Sequence, residues 1–196
     1  IWYILKESGS YIWNYYVLRD NFEANMGSKE CLKALLGYTK LFKAEYYLLW
    51  IYDHGNGTHI PQVDEYDKDG LSIIELSKAL RESNVKIDVL FLCSCLGMNI
   101  ETLLEIKDNV KILVASQELG MGFHNLLGEI FKHTLFYDAG PVDRIVDRLV
   151  KEPSISPWSI AKYIVDSYSE WWESICLKYK AYTLSAVDID LSLIHI

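Results

Sequence analysis

An apolar run, Ile87-Asp88-Val89-Leu90-Phe91-Leu92, stops at two cysteines one residue apart, Cys93 and Cys95. A second run, YYLLWIY at residues 46–52, stops at Asp53-His54-Gly55-Asn56-Gly57. A thiol and an imidazole at the ends of two apolar runs can perform acyl transfer. The cysteine attacks a carbonyl carbon as its thiolate, and the imidazole takes the thiol proton and later protonates a leaving amine. The tetrahedral intermediate needs N–H donors aimed at its oxygen. The N–H of Gly55, which has no side chain in the way, and the N–H of Cys95 at a strand-to-helix turn are the candidates. A structural reading stands beside this one. A free cysteine is commonly a small buried hydrophobe, and a histidine after a strand often satisfies a neighbouring group. Spacing alone does not choose between the two.

Other cysteine chemistry fits less well. The set His54, His59, Cys93 and Cys95 matches no common zinc module, and no metal ligand is assigned. The four cysteines, Cys31, Cys93, Cys95 and Cys176, are too sparse for a disulfide framework. A bridge between Cys93 and Cys95 would be strained.

For His54 and Cys95 to meet, the runs before them must be adjacent strands. In an open parallel sheet, neighbouring strands deliver their carboxyl ends to one edge, where sites form. The pattern along the chain provides such a sheet. Residues 1–18, around Ser8-Gly9-Ser10, read as a hairpin. Residues 28–42 read as a helix with Ser28 as its cap and an apolar stripe of Leu32, Leu35, Leu36 and Leu41. Residues 46–52 read as a strand buried on both faces. After a polar loop, Ser72-Ile73-Ile74-Glu75 is a capping box opening a helix to about Arg81. Residues 87–92 form another buried strand, 98–106 a short helix, and 110–116 a third strand. Ser156-Pro157 begins a long helix with a stripe of Ile160, Ala161, Ile164, Val165 and Tyr168; Trp171 and Trp172 near its end are read as packing residues. Residues 182–189 form a final strand. Strands alternating with helices predict an α/β fold, a parallel sheet with helices on both faces. Ser116, Gln117 and Glu118, at the end of the third strand, would border the cleft or simply form an ordinary turn.

Bulk properties narrow the function. A length of 196 residues favours one domain, and 51% hydrophobic residues argue against disorder. A net charge of −8 argues against a nucleic-acid partner, which usually selects a basic face. No apolar stretch approaches the roughly 20 residues that span a bilayer.

Five segments in order resemble the clostripain family of cysteine peptidases, relatives of caspases and gingipains. YYLLWIYDHGNG is similar to the family's LILWDHGSG, and DKDGLSIIELSKAL to its aspartate-leucine-helix stretch. IDVLFLCSCLGMNIE is similar to FDLIGFDACLMANIE, VKILVASQELGMGF to YLVASEETEPGYG, and YTLSAVDI to TLSAIDL. The resemblance runs from about residue 25 to residue 190. It implies a caspase-like α/β/α sandwich with a mostly parallel sheet, and a bacterial cysteine endopeptidase with a peptide or protein substrate. By position it implies His54 as catalytic histidine and Cys95 as nucleophile. It also implies Gly55 and Cys95 as the oxyanion hole, and Cys93, Ser116, Gln117, Glu118 and His124 as residues lining the substrate cleft.

Two departures bear on specificity. Cys93 stands where the family has an acid that receives an arginine or lysine side chain, and Gly122-Phe123-His124-Asn125 stands where a second acid is expected. An inert clostripain-like binding domain and an α/β domain alike only in fold are the rival readings. Some relatives use calcium and mature by self-cleavage; the acidic loop Asp64, Glu65, Asp67 and Asp69 could take calcium, or be simply solvated, and no cofactor is required. A secreted or cell-envelope location follows from the same resemblance.

The family's first β-α unit is expected to be missing before the hairpin, which would expose a sheet edge. The peptidase domain is expected to span residues 1–190. The final hexapeptide, residues 191–196, is one that the codons CTG TCT CTT ATA CAC ATC would encode, a string that resembles a sequencing-library transposon end, and it is expected to be an adapter-derived tail.

Overall fold

The computed structural model describes residues 2–7, 10–15, 24–52, 54–57, 63–64, 68–118, 141–175 and 183–193. The first two β-rich runs pair as an antiparallel hairpin, β1 (Trp2–Glu7) with β2 (Ser10–Tyr15). Helix α1 (Lys29–Gly37) follows, capped by the Ser28 hydroxyl, which accepts the Cys31 N–H at 3.2 Å. Strand β3 (Leu48–Tyr52) leads to the polar stretch, where β4 (Val63–Asp64) and β5 (Asp69–Gly70) form a two-residue ladder. Then come α2 (Ile73–Ser83), β6 (Ile87–Cys93), α3 (Ile100–Ile106) and β7 (Val110–Ala115). The described chain continues with α4 (Pro141–Lys151), α5 (Pro157–Ile175), β8 (Ser185–Asp188) and α6 (Ile189–Leu193).

The main sheet has the order β3-β6-β7-β8. Its first three strands are parallel and β8 runs antiparallel at the far side. This is the expected mostly parallel sheet, and helices cover both faces. Strand β6 lies between β3 and β7 and is buried at every residue, which explains its nearly continuous apolar sequence. Alternation along β6 sends Leu90 and Leu92 toward Leu32, Leu36, Leu76, Leu80 and Leu103 on α1, α2 and α3. It sends Val89, Phe91 and Cys93 toward Ile145 of α4 and Ile160, Ile164 and Tyr168 of α5. Phe91 is the centre of the second layer, with its ring 5.0 Å from Trp50 and 5.5 Å from Tyr168, the latter edge-on. Burying such a side chain stabilises the fold by roughly 1.5–3 kcal/mol.

Local signals set the helix starts. Ser72 accepts the Glu75 N–H at 3.2 Å while the Glu75 carboxylate accepts the Ser72 N–H at 2.9 Å, closing the capping box. Asn84 ends α2 in the left-handed conformation at φ 53°. The Ser156 hydroxyl accepts the Ser159 N–H at the start of α5.

Several expectations need correction. Helix α1 stops at Gly37 and a 3-10 turn, Tyr38–Lys40, follows. Only Leu32 and Leu36 of the anticipated stripe are buried, because those two face α2; Leu35 is 44% exposed and Leu41 70% exposed. Strand β3 is buried at Leu49 and Ile51, but Leu48 and Trp50 are only partly covered, since β3 ends the described four-stranded sheet. The final strand is shorter than residues 182–189, because Asp188 accepts the Leu191 N–H at 3.1 Å and turns the chain into α6. Helix α4 was not read from the sequence. It opens at Pro141, buries Ile145 completely, and carries an Asp147–Lys151 ion pair one turn apart at 2.6 Å.

Candidate active site at the carboxyl edge of the sheet

Strands β3 and β6 are parallel neighbours, with Tyr52 opposite Cys93. Both chains leave the sheet at the same edge and in register. Two residues further on come His54, which is exposed, and Cys95, which is half-buried. The two turns touch through their backbones. A Cβ placed on Gly55 would lie 2.3 Å from the Cys95 carbonyl oxygen, 3.0 Å from the Cys95 nitrogen and 3.0 Å from the Ser94 Cβ. Only a residue without a side chain fits there, and the requirement is one of space. At Gly57 the requirement is conformational, with φ at 98°.

The two cysteines occupy different surroundings. Residues two apart on one strand would share a face, but β6 ends at Cys93 and Cys95 belongs to the turn beyond it. Cys93 lies in the second core layer with its sulfur 3.7 Å from the Tyr168 hydroxyl. Burial pushes the Cys93 thiol up to about 11, an effect that Tyr168 and the Trp50 indole only partly offset. The same burial raises the Tyr168 hydroxyl well above the usual phenol range. Cys93 is therefore a neutral core thiol at neutral pH. The Ser94 hydroxyl beside it is buried and has no hydrogen-bond partner among the described residues.

The turn carrying Cys95 is held from two sides. Leu96 is left-handed, with φ at 57°, an uncommon conformation for a bulky side chain. Its N–H donates to the Glu118 carbonyl at 2.9 Å, and the Met98 N–H donates to the Ser116 carbonyl at 2.8 Å. The Asn99 amide donates to the Leu96 carbonyl at 3.0 Å, while its oxygen accepts the Thr102 N–H at 2.8 Å and caps α3.

The other sequence-predicted residues fall as follows. Gln117 and Glu118 are exposed beside this turn, and Ser116 is buried. The Ser116 hydroxyl donates to the Glu118 carbonyl at 3.0 Å and accepts the Glu118 N–H at 3.2 Å, so it is taken up by its own turn. His124 and its neighbours lie outside the described residues, as do His59, Glu65, Asp67 and Cys176. Asp69 already accepts from Asn25 at 2.8 Å and from the Gly70 N–H at 2.8 Å. Among the described residues no three His, Cys, Asp or Glu side chains converge as metal ligands, and no helix is long and apolar enough to cross a membrane. Asn99, Tyr168 and Thr183 touch this region but were not singled out from the sequence for the site. Asn99 carries a local cap signal; Tyr168 and Thr183 reach the edge only through tertiary folding.

The arrangement thus joins a thiol-bearing turn and an imidazole-bearing turn by direct backbone contact, with two backbone N–H groups nearby. The model of the clostripain family matches residues 3–194. No match is found among curated proteins. An inactive zymogen of a C11 protease from Parabacteroides distasonis is similar in structure, with a TM-score of 0.62 at 16% identity over 96% of this chain and 47% of that one. A secreted C11 cysteine protease from Bacteroides thetaiotaomicron, solved with an irreversible peptide inhibitor, gives 0.67 at 13% identity over 96% and 52%. At such identities the likeness is one of fold, and this chain spans about half the length of the structures it matches.

Proposed function

The chain belongs to the clostripain family, and from that membership we propose that it acts as a cysteine endopeptidase with Cys95 as nucleophile and His54 as its proton-transfer partner. The observation that carries this reading is the in-register exit of β3 and β6, with Gly55 packed on the backbone of Cys95. The Cys95 sulfur adds to the scissile carbonyl carbon. The N–H groups of Gly55 and Cys95 stabilise the oxyanion. The carbon–nitrogen bond breaks as His54 protonates the departing amine, leaving a thioester on Cys95. Water, deprotonated by His54, then attacks the thioester and releases the new carboxyl end, and the thiol regains its proton. Gln117, Glu118 and the backbone of Ser116 border the substrate cleft. One relative in structure is described as secreted, which supports a secreted or cell-envelope location for this chain.

Specificity follows from the absence of an acid at position 93. A buried cation needs an opposing charge, and at the position of the family's pocket acid this chain has a neutral thiol held against Tyr168. The primary pocket should therefore prefer an uncharged P1 side chain, with Glu118 the nearest candidate by sequence for an acid that restores a basic preference. The test is peptide hydrolysis by Cys95→Ala, His54→Ala and Cys93→Ala proteins. Loss in the first two with activity kept in the third supports the reading. Hydrolysis that survives Cys95→Ala overturns it, and a folded protein that cleaves no peptide in a broad library favours the inert binding domain.

A further inference from the structure

Resting on Cys95 as nucleophile, we propose that Ser116 and Thr183 are positioning residues that hold Leu96 left-handed and so aim the Cys95 turn at the substrate. Leu96 at φ 57° is strained, because a left-handed residue with a side chain costs about 1–2 kcal/mol. Something outside the turn must offset that cost. The bonds described above identify it. Leu96 and Met98 donate to the carbonyls of Glu118 and Ser116, so the 116–118 turn is the template on which the nucleophile turn is laid.

That template is itself fastened by two hydroxyls. Ser116 Oγ spends its single proton on the Glu118 carbonyl and accepts from the Glu118 N–H. Thr183 Oγ1 accepts the Gln117 N–H at 3.0 Å and lies 3.4 Å from Ser116 Oγ. With the Ser116 proton committed, Thr183 donates across that gap. Thr183 stands just before β8, whose Ser185 pairs with Ala115 of β7. The path runs from the sheet through Thr183 and Ser116 to the Glu118 carbonyl, then to Leu96, and ends at the residue carrying the thiol. Neither hydroxyl needs to touch substrate to serve this purpose.

Removing either hydroxyl frees the 116–118 turn, and Leu96 relaxes toward a right-handed conformation. The sulfur then moves while the substrate cleft is otherwise intact. A misplacement of about 1 Å in a reacting group can cost about a hundredfold in rate. Ser116→Ala and Thr183→Val are therefore expected to lower kcat by about tenfold to a hundredfold and to leave KM within about twofold. Thr183→Ser keeps the hydroxyl and should retain kcat. Leu96→Gly removes the left-handed cost, so adding it to Thr183→Val or Ser116→Ala should recover much of the lost kcat.

The assay is turnover of a fluorogenic peptide well below the melting temperature of each variant, with Cys95→Ala alongside. A hydroxyl that served only folding would lower the melting temperature and leave kcat unchanged, which overturns the proposal. Loss of kcat that Leu96→Gly does not rescue also overturns it. Activity in Cys95→Ala would instead refute the nucleophile assignment, so the two failures are distinguishable. Thr183 is exposed, so Thr183→Val answers the question even where Ser116→Ala folds poorly.

Discussion

Substituting Gly55 by alanine tests the contact on which the site is built. The added Cβ would meet the Cys95 carbonyl oxygen at 2.3 Å, short of ordinary contact by about 1.1 Å. The obstacles are backbone atoms of Cys95 and the Cβ of Ser94, and no flexible side chain is available to swing aside. One of the two turns must therefore move by about 1 Å, which separates His54 from Cys95 and displaces the Gly55 N–H. A shift of that size is expected to lower kcat about a hundredfold, equivalent to roughly 2.7 kcal/mol. Overpacking should cost a further 1–3 kcal/mol of stability, roughly. Gly37→Ala is the matched control. Its Cβ would meet nothing within 4 Å, and φ at −56° suits alanine. It should leave kcat unchanged and stabilise α1 by roughly 0.5–1 kcal/mol. Both proteins would be assayed on the same fluorogenic peptide at a temperature where each is folded. Wild-type kcat in Gly55→Ala would refute the argument that close approach of these turns assembles the site.

The neutral Cys93 thiol gives a pH signature. Its folded value is raised from 9.0 to about 11, so its contribution to stability is complete below pH 9 and is lost as pH climbs toward 11. That loss is on the order of 2–3 kcal/mol. In reductant, urea titrations from pH 8 to 11 should show a shallower decline for Cys93→Ala, and parallel declines would contradict the buried neutral thiol. Fluorogenic peptides varied only at P1 should show preference for uncharged side chains. Clear selectivity for arginine or lysine would show this wrong, and its disappearance in Glu118→Gln would identify the substitute acid. Ser72→Ala breaks a capping box whose hydroxyl also donates to Glu75 at 2.7 Å. It should lower stability by about 1 kcal/mol in urea without changing kcat, since it sits at the start of α2.

What the sequence revealed was what is local or periodic. The Ser72–Glu75 box, the uninterrupted burial of β6 and the Ser156-Pro157 start of α5 each write themselves into a few adjacent residues. The pairing of the two strands that lead to His54 and Cys95 was legible because both are apolar runs that a parallel sheet must align. Preferring Cys95 to Cys93 as the candidate nucleophile rested on the family resemblance, since composition does not mark where β6 ends. Helix α4 had usable signals, Pro141 at its first turn and oppositely charged residues four apart, yet its short apolar stripe went unread. Contacts between distant residues left no trace. Ser116 and Thr183 are 67 positions apart, and nothing in either neighbourhood announces the pairing. The same is true of Tyr168, whose helical stripe predicts burial but not the thiol it meets.

Site-resolved labelling by a peptidyl thiol-reactive probe tests the central claim most directly. The folded protein would be treated at neutral pH, digested, and mapped by mass spectrometry at Cys31, Cys93, Cys95 and Cys176. The expected result is one adduct on Cys95, formed much more slowly in His54→Ala, with Cys93 modified only after unfolding. An adduct on Cys93 in the folded protein, or labelling of Cys95 at the same rate with and without His54, would contradict the assignment of the nucleophile and its partner.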